Sequence, residues 1–121
     1  MDSEVIFLTF TKLTGLSVMD ASEYSFMCDA AAGYIGSRLK PDADIGKYED
    51  ALNFAAATSA YYRYVLWKLS DAPDSELRVG DILSKRNIIE EAGSAEQLCR
   101  QAFDDIRGIL EDDGFVFTSV K

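Results

Sequence analysis

The stretch Lys47–Ser70, KYEDALNFAAATSAYYRYVLWKLS, decides how this chain folds. It is the longest segment free of Gly and Pro, and it carries the only Trp and four of the six Tyr. Leu52, Ala55, Ala56, Ser59, Arg63 and Leu66 fall along one side at helical spacing. Tyr48, Ala51, Tyr62 and Leu69 widen that stripe, and Phe54, Ala57, Tyr61, Tyr64 and Val65 fill much of the remainder. A helix apolar nearly all round is contacted on several sides, so this one is expected to be central. Ala55, Ala56, Ala57 and Ala60 let neighbouring helices come close, while each Tyr brings a large area and a polar tip that needs a partner or water.

Working towards the N-terminus, Asp20 stands three residues before Glu23 in an acidic variant of the capping box. It is expected to open a helix to about Leu39, with Tyr24, Met27, Cys28, Ala31, Ile35 and Leu39 as its apolar stripe. Gly33 and Gly36 weaken that helix by about 1 kcal/mol each, or admit a close neighbour. Before it, Asp2 and Ser3 cap a short helix to about Leu13, with Ile6, Phe10 and Leu13 facing one way and Thr14-Gly15 as its stop.

Towards the C-terminus, SDAPDSEL reads as a polar turn around Pro73. In RVGDILSKRNIIEE, the apolar residues flank a Gly80-Asp81 turn signal, which predicts a short β-like hairpin or protruding loop near 77–89. Ser94 with Gln97 forms a capping box that opens a last helix, with Leu98, Ala102, Ile106, Ile109 and Leu110 on its apolar face. Glu111, Asp112 and Asp113 oppose the helix dipole, so the helix is expected to end near Leu110–Asp112, with Gly114 as C′ residue. Phe115, Val116 and Phe117 follow as a small β-prone cluster. The expected fold is mainly α: residues 1–121 as a single compact bundle of about four helices around one long central helix.

Composition narrows the function classes. With 48% hydrophobic and 27% charged residues the chain is globular in type rather than disordered. Its 21 acidic against 12 basic residues give a net charge of −9, the wrong balance for gripping a phosphate backbone or an anionic membrane. No run approaches the roughly 18 apolar residues of a membrane span, and MDSEVIFLTF lacks the basic start of a signal peptide. Cys28 and Cys99 form no CxxC pair and imply no disulfide framework, so a cytosolic setting is expected. There is no His, the commonest general base and metal ligand.

No residue pattern points to catalysis, a cofactor or a metal. Both cysteines lie on or beside apolar stripes, as buried inert thiols do. Asp71, Asp74, Glu76 and Asp81 lack the D-x-[DN]-x-[DN]-G spacing of a calcium loop and read as a solvated loop. Glu90-Glu91 and Glu111–Asp113 read as solubilising charge, and Gly46-Lys47 has no Gly-rich loop before it. The group Tyr61, Tyr62, Tyr64 and Trp67 is the one cluster that reads as a binding surface, with core plus subunit interface favoured over a ligand site.

The order of these features resembles the small head–tail connector (adaptor) proteins of tailed bacteriophages and prophages. The matching pieces are a short N-terminal helix ending in LTG, then DASEYSFMCDAAAGYI, then ALNFAAATSAYYRYVLWKL, then VGDILSK, and a helix closing in ILEDDGFVF. The resemblance is one of pattern over nearly the whole chain. It implies a helical, non-enzymatic subunit of the virion neck, made in the bacterial host cytoplasm, that assembles as a ring between portal and tail-completion proteins. DNA would pass through such a ring without being read, and an acidic lining would keep it from sticking. A ring requires two different patches per subunit. Those expected here are the aromatic end of the long helix (Tyr61, Tyr64, Trp67) and a second patch from the Arg78–Ile89 segment, with Arg78, Val79, Asp81 and Ile82, or from the N-terminal helix. Two other readings of the residues stay open: an acidic adaptor or inhibitor that binds a basic partner protein, for instance as a DNA mimic, and a small metal-using enzyme.

Overall fold

The computed structural model describes residues 1–71 and 79–111, with side chains described over 1–70 and 86–111. The helices are α1 (Ser3–Thr14), α2 (Val18–Ala21), α3 (Ser25–Arg38), α4 (Glu49–Asp71) and α5 (Val79–Asp105). A 3-10 turn, Ser22–Tyr24, joins α2 to α3, and a second, Arg107–Ile109, follows α5. The fold is the expected helical bundle, and α4 is its centre.

Small side chains explain why α4 can occupy that position. Leu52, Ala55, Ala56, Ala57, Ala60 and Val65 are all buried, and no long side chain among them holds a neighbour away. α1 runs alongside α4 in the same direction: the Asp2 N–H donates to Asn53 Oδ1 at 2.9 Å, and the Phe10 ring meets Tyr64 edge-on at 6.0 Å. α5 runs the opposite way, since Glu91 reaches Tyr61 and Lys68 near the end of α4, while Cys99 lies beside Thr58 nearer its middle. At the start of α3, Tyr24 packs on Tyr64 and Trp67. Ile6, Phe10, Ile35, Leu52, Ile106 and Leu110 are the large side chains that close the core.

The termini of the first helix follow from its caps. The Asp2 carboxylate accepts from the Glu4 and Val5 amides, and Gly15 closes α1 in the left-handed conformation at φ 77°. The second helical segment starts earlier than the Asp20–Glu23 box implies. Ser17 is the cap, its Oγ accepting from the Asp20 amide at 3.1 Å, and the chain passes through α2 and the 3-10 turn before α3 begins.

The hairpin expected near 77–89 is not present where the backbone is described: Val79 to Ile89 are the first turns of the 27-residue α5. The helical period runs straight through, from Ile88 and Ala92 to Ala95, Cys99, Ala102 and Ile106, all buried or half-buried. Packing of that stripe on α4 overrides both the Gly80-Asp81 turn signal and the Ser94–Gln97 box, which lies within the helix rather than at its start. Gly93 stays inside the helix at a cost of about 1 kcal/mol.

The helix also ends sooner than expected, at Asp105. Leu110 instead becomes extended and buried, forming an isolated antiparallel bridge with Leu39. The Lys40 amide donates to the Ile109 carbonyl at 2.9 Å, and the Glu111 amide donates to the Arg38 carbonyl at 2.7 Å. These bonds satisfy backbone groups that two adjacent helix ends would otherwise leave open. The Pro73 turn, the Gly114 stop and the Phe115–Phe117 cluster lie outside the described residues.

Two substitutions test this packing. Phe10→Ala removes a fully buried ring and is expected to cost about 3–5 kcal/mol. Ala56→Leu forces bulk into a fully buried position and is expected to cost about 1–3 kcal/mol. Urea unfolding monitored by circular dichroism measures both.

Candidate functional site

The aromatic end of α4 divides into three roles. Tyr64 is 7% exposed and wedged among Phe10, Tyr24 and Trp67, so it belongs to the core rather than to a free surface. α1 and the start of α3 converge on the side of α4 that it occupies. Tyr61 is half-buried, and its hydroxyl donates to Glu91 Oε2 at 2.8 Å. Lys68 Nζ donates to the other Glu91 oxygen at 3.0 Å and sits 5.1 Å above the Tyr64 ring. Glu91 therefore ties two turns of α4 to α5. Trp67 is the member that reaches solvent, 42% exposed, with one side of its indole against Tyr64 and Tyr24.

Of the second expected patch, Val79, Asp81 and Ile82 lie in the first turn of α5, and Arg78 lies outside the described residues.

Further large apolar residues are exposed, among them Leu66, which the stripe of α4 had included. Met19 is 81% exposed and Phe26 60%, and Val18 is exposed beside them. Leu66 stands next to Trp67 on α4, and Ile89 faces solvent on α5. The signal for Met19 and Phe26 is present in the sequence. Met27, Cys28, Ala31 and Ile35 fix the inward phase of α3, and Phe26 falls on its opposite face.

Chemistry within the bundle is muted. Burial, reinforced by Asp29, pushes the Cys28 thiol up to about 11. Burial does the same at Cys99, also to about 11, although the neighbouring Thr58 hydroxyl acts the other way. Both thiols are therefore protonated at neutral pH. Among the described residues, no three His, Cys, Asp or Glu side chains gather in a way that could hold a metal ion. Among the described residues, no single helix is long and apolar enough to cross a membrane.

Tyr61 supplies a pH prediction. Burial, then its hydrogen bond to Glu91 and the charge of that carboxylate, push its phenol from 10.0 up to about 12. The folded chain holds this proton more tightly than the unfolded chain. The resulting stabilisation is complete below pH 10 and is lost as pH rises towards 12. Tyr62 and Tyr64, also raised chiefly by burial, titrate in the same direction. Tyr61→Phe is expected to flatten part of the alkaline fall in melting temperature, and to cost about 1 kcal/mol at neutral pH for the lost hydrogen bond. For the thiols, Cys28 and Cys99 are expected to react with a disulfide reagent only after denaturation; rapid labelling of the folded chain would contradict their burial. Comparison with protein-family models, with curated proteins and with solved structures found no match to this chain.

Proposed function

We propose that the chain is a structural, non-catalytic subunit of a tailed-phage neck, assembling with copies of itself as a ring that joins portal to tail. The observation that carries this reading is the set of large apolar side chains turned outward on separate helices: Met19 and Phe26 on one segment, Leu66 and Trp67 on another. Scattered single residues of this kind are ordinary on a protein surface, but grouped ones mark association with another protein. The pattern resemblance supplies the identity of the partners, portal and tail-completion proteins, and the virion neck or the host cytoplasm during assembly as the place.

One observation favours a second reading, an acidic adaptor or inhibitor that binds a basic protein. Between Lys12 and Arg38 there is no Lys or Arg, while Asp20, Glu23 and Asp29 all lie in that interval. Such a one-sign surface steers a cationic partner towards it.

Electron microscopy and native mass spectrometry of the chain with its cognate portal separate the two readings. The neck reading expects a closed ring of several copies seated on the portal. A single copy bound to a basic protein such as a nuclease, with the portal ignored, would replace it by the second reading.

A further inference from the structure

Met19, Ser22, Phe26, Ala30 and Gly33 follow one another at three- and four-residue steps on the α2–α3 segment, and all are exposed. The buried positions Met27, Cys28, Ala31 and Ile35 occupy the opposite phase. The result is an outward stripe, with large apolar side chains in its first half and small ones towards its end, where Gly33 has open space above it. Glu23 flanks it on one side and Asp29 on the other, both exposed. A surface of this composition attracts an apolar face that carries a cation and repels one that carries acids.

The chain itself presents such a face. On α4, Arg63, Leu66 and Trp67 are exposed at three- and four-residue spacing. Arg63 has no carboxylate partner among the described residues, unlike Lys68, Arg100 and Arg107, which are paired with Glu91, Glu96 and Asp104. Trp and Arg are the side chains most enriched at the energetic centres of protein interfaces, and the guanidinium fork suits carboxylates on either side of an apolar strip. In a chain of net charge −9, copies repel one another unless the contact opposes acid to base, and these two surfaces do so.

The two surfaces do not face each other within one molecule. Tyr24 is the residue of the 3-10 turn that meets Trp67, at 5.4 Å. Phe26, two residues further on, is on the face of α3 opposite the buried Met27, Cys28, Ala31 and Ile35 and is 60% exposed.

We propose that the Met19–Phe26 stripe of one copy docks on the Arg63–Leu66–Trp67 face of a second copy, in a head-to-tail contact. This rests on the self-assembly reading above and names the surfaces through which it occurs. Because the two patches differ, each subunit uses both, and the contact propagates until rotation closes a ring.

The test uses the full chain with Phe26→Asp and Arg63→Glu as separate variants, circular dichroism confirming that each keeps its helical content. Native mass spectrometry over rising concentration, alone and with the cognate portal, gives the oligomeric state. Wild type is expected to pass beyond dimer, and each variant is expected to associate more weakly by on the order of thirtyfold. Mixed together, the two variants are expected to form a 1:1 heterodimer that goes no further, since each retains one working surface. Leu66→Glu in place of Arg63→Glu is expected to behave alike. If wild type assembles and both variants assemble equally well, the chosen surfaces are wrong while self-assembly stands. Assembly that stops at a symmetric dimer overturns the head-to-tail contact. If wild type stays a single copy under every condition, including on the portal, the self-assembly reading falls together with this inference. Should Phe26→Asp abolish portal binding by a chain that never self-associates, the stripe belongs to a foreign partner and the second-copy assignment is overturned.

Discussion

Close approach at the alanines of α4 is the constraint on which the rest of the structure depends. Ala55, Ala56, Ala57 and Ala60 are all buried, so different arcs of one helix are covered by different neighbours. Small side chains permit that geometry but remove little apolar area each from water. The larger contributions must come from outside the alanine girdle. They come from Ile6 and Phe10 on α1, Ile35 on α3, and Ile106 and Leu110 at the far end of the chain. The short pairing of Leu39 with Leu110 belongs to the same logic, because burying Leu110 requires the chain to leave α5 and satisfy its backbone on the end of α3.

At the other end of α4 the packing becomes aromatic and partly polar. Tyr64 sits where α1 and the start of α3 converge, and Trp67 closes over it. On the α5 side, Glu91 accepts from both Tyr61 and Lys68, which joins the two longest helices near the end of α4. An ion pair this accessible to solvent contributes little alone. Its value lies in fixing the register of α5, where a one-residue slip would also remove Ala95, Cys99 and Ala102 from their stripe.

Much of this was legible in the residues. The Asp2 cap, the Gly15 stop, the inward stripe of α3 and the central position of α4 follow from local chemistry and helical period, and the structure has them all. The start of α5 was not legible. Gly80-Asp81 between apolar residues, and a good capping box at Ser94–Gln97, are both local signals. They lose to a non-local gain, the packing of a continuous stripe against α4. Tyr64 shows the same limit. Tyr61, Tyr62 and Tyr64 point in different directions from one helix, and which is covered depends on where α1 and α3 arrive. The sequence of α4 cannot say that.

The exposure of Phe26 is of a different kind, because the helix that carries it leaves no alternative. Turning α3 to bury Phe26 would bring Met27, Cys28, Ala31 and Ile35 out of the core, four apolar residues lost for one gained. Its outward position is therefore set by the same phase that holds α3 on α4. A ring in water forgoes about 1.5–3 kcal/mol of burial. Met19 lies on the same face two turns further back and is exposed more fully still. Two large apolar side chains held outward by the core, with carboxylates on both flanks, are what a docking face needs: hydrophobic area at its centre and charge at its rim to choose the partner.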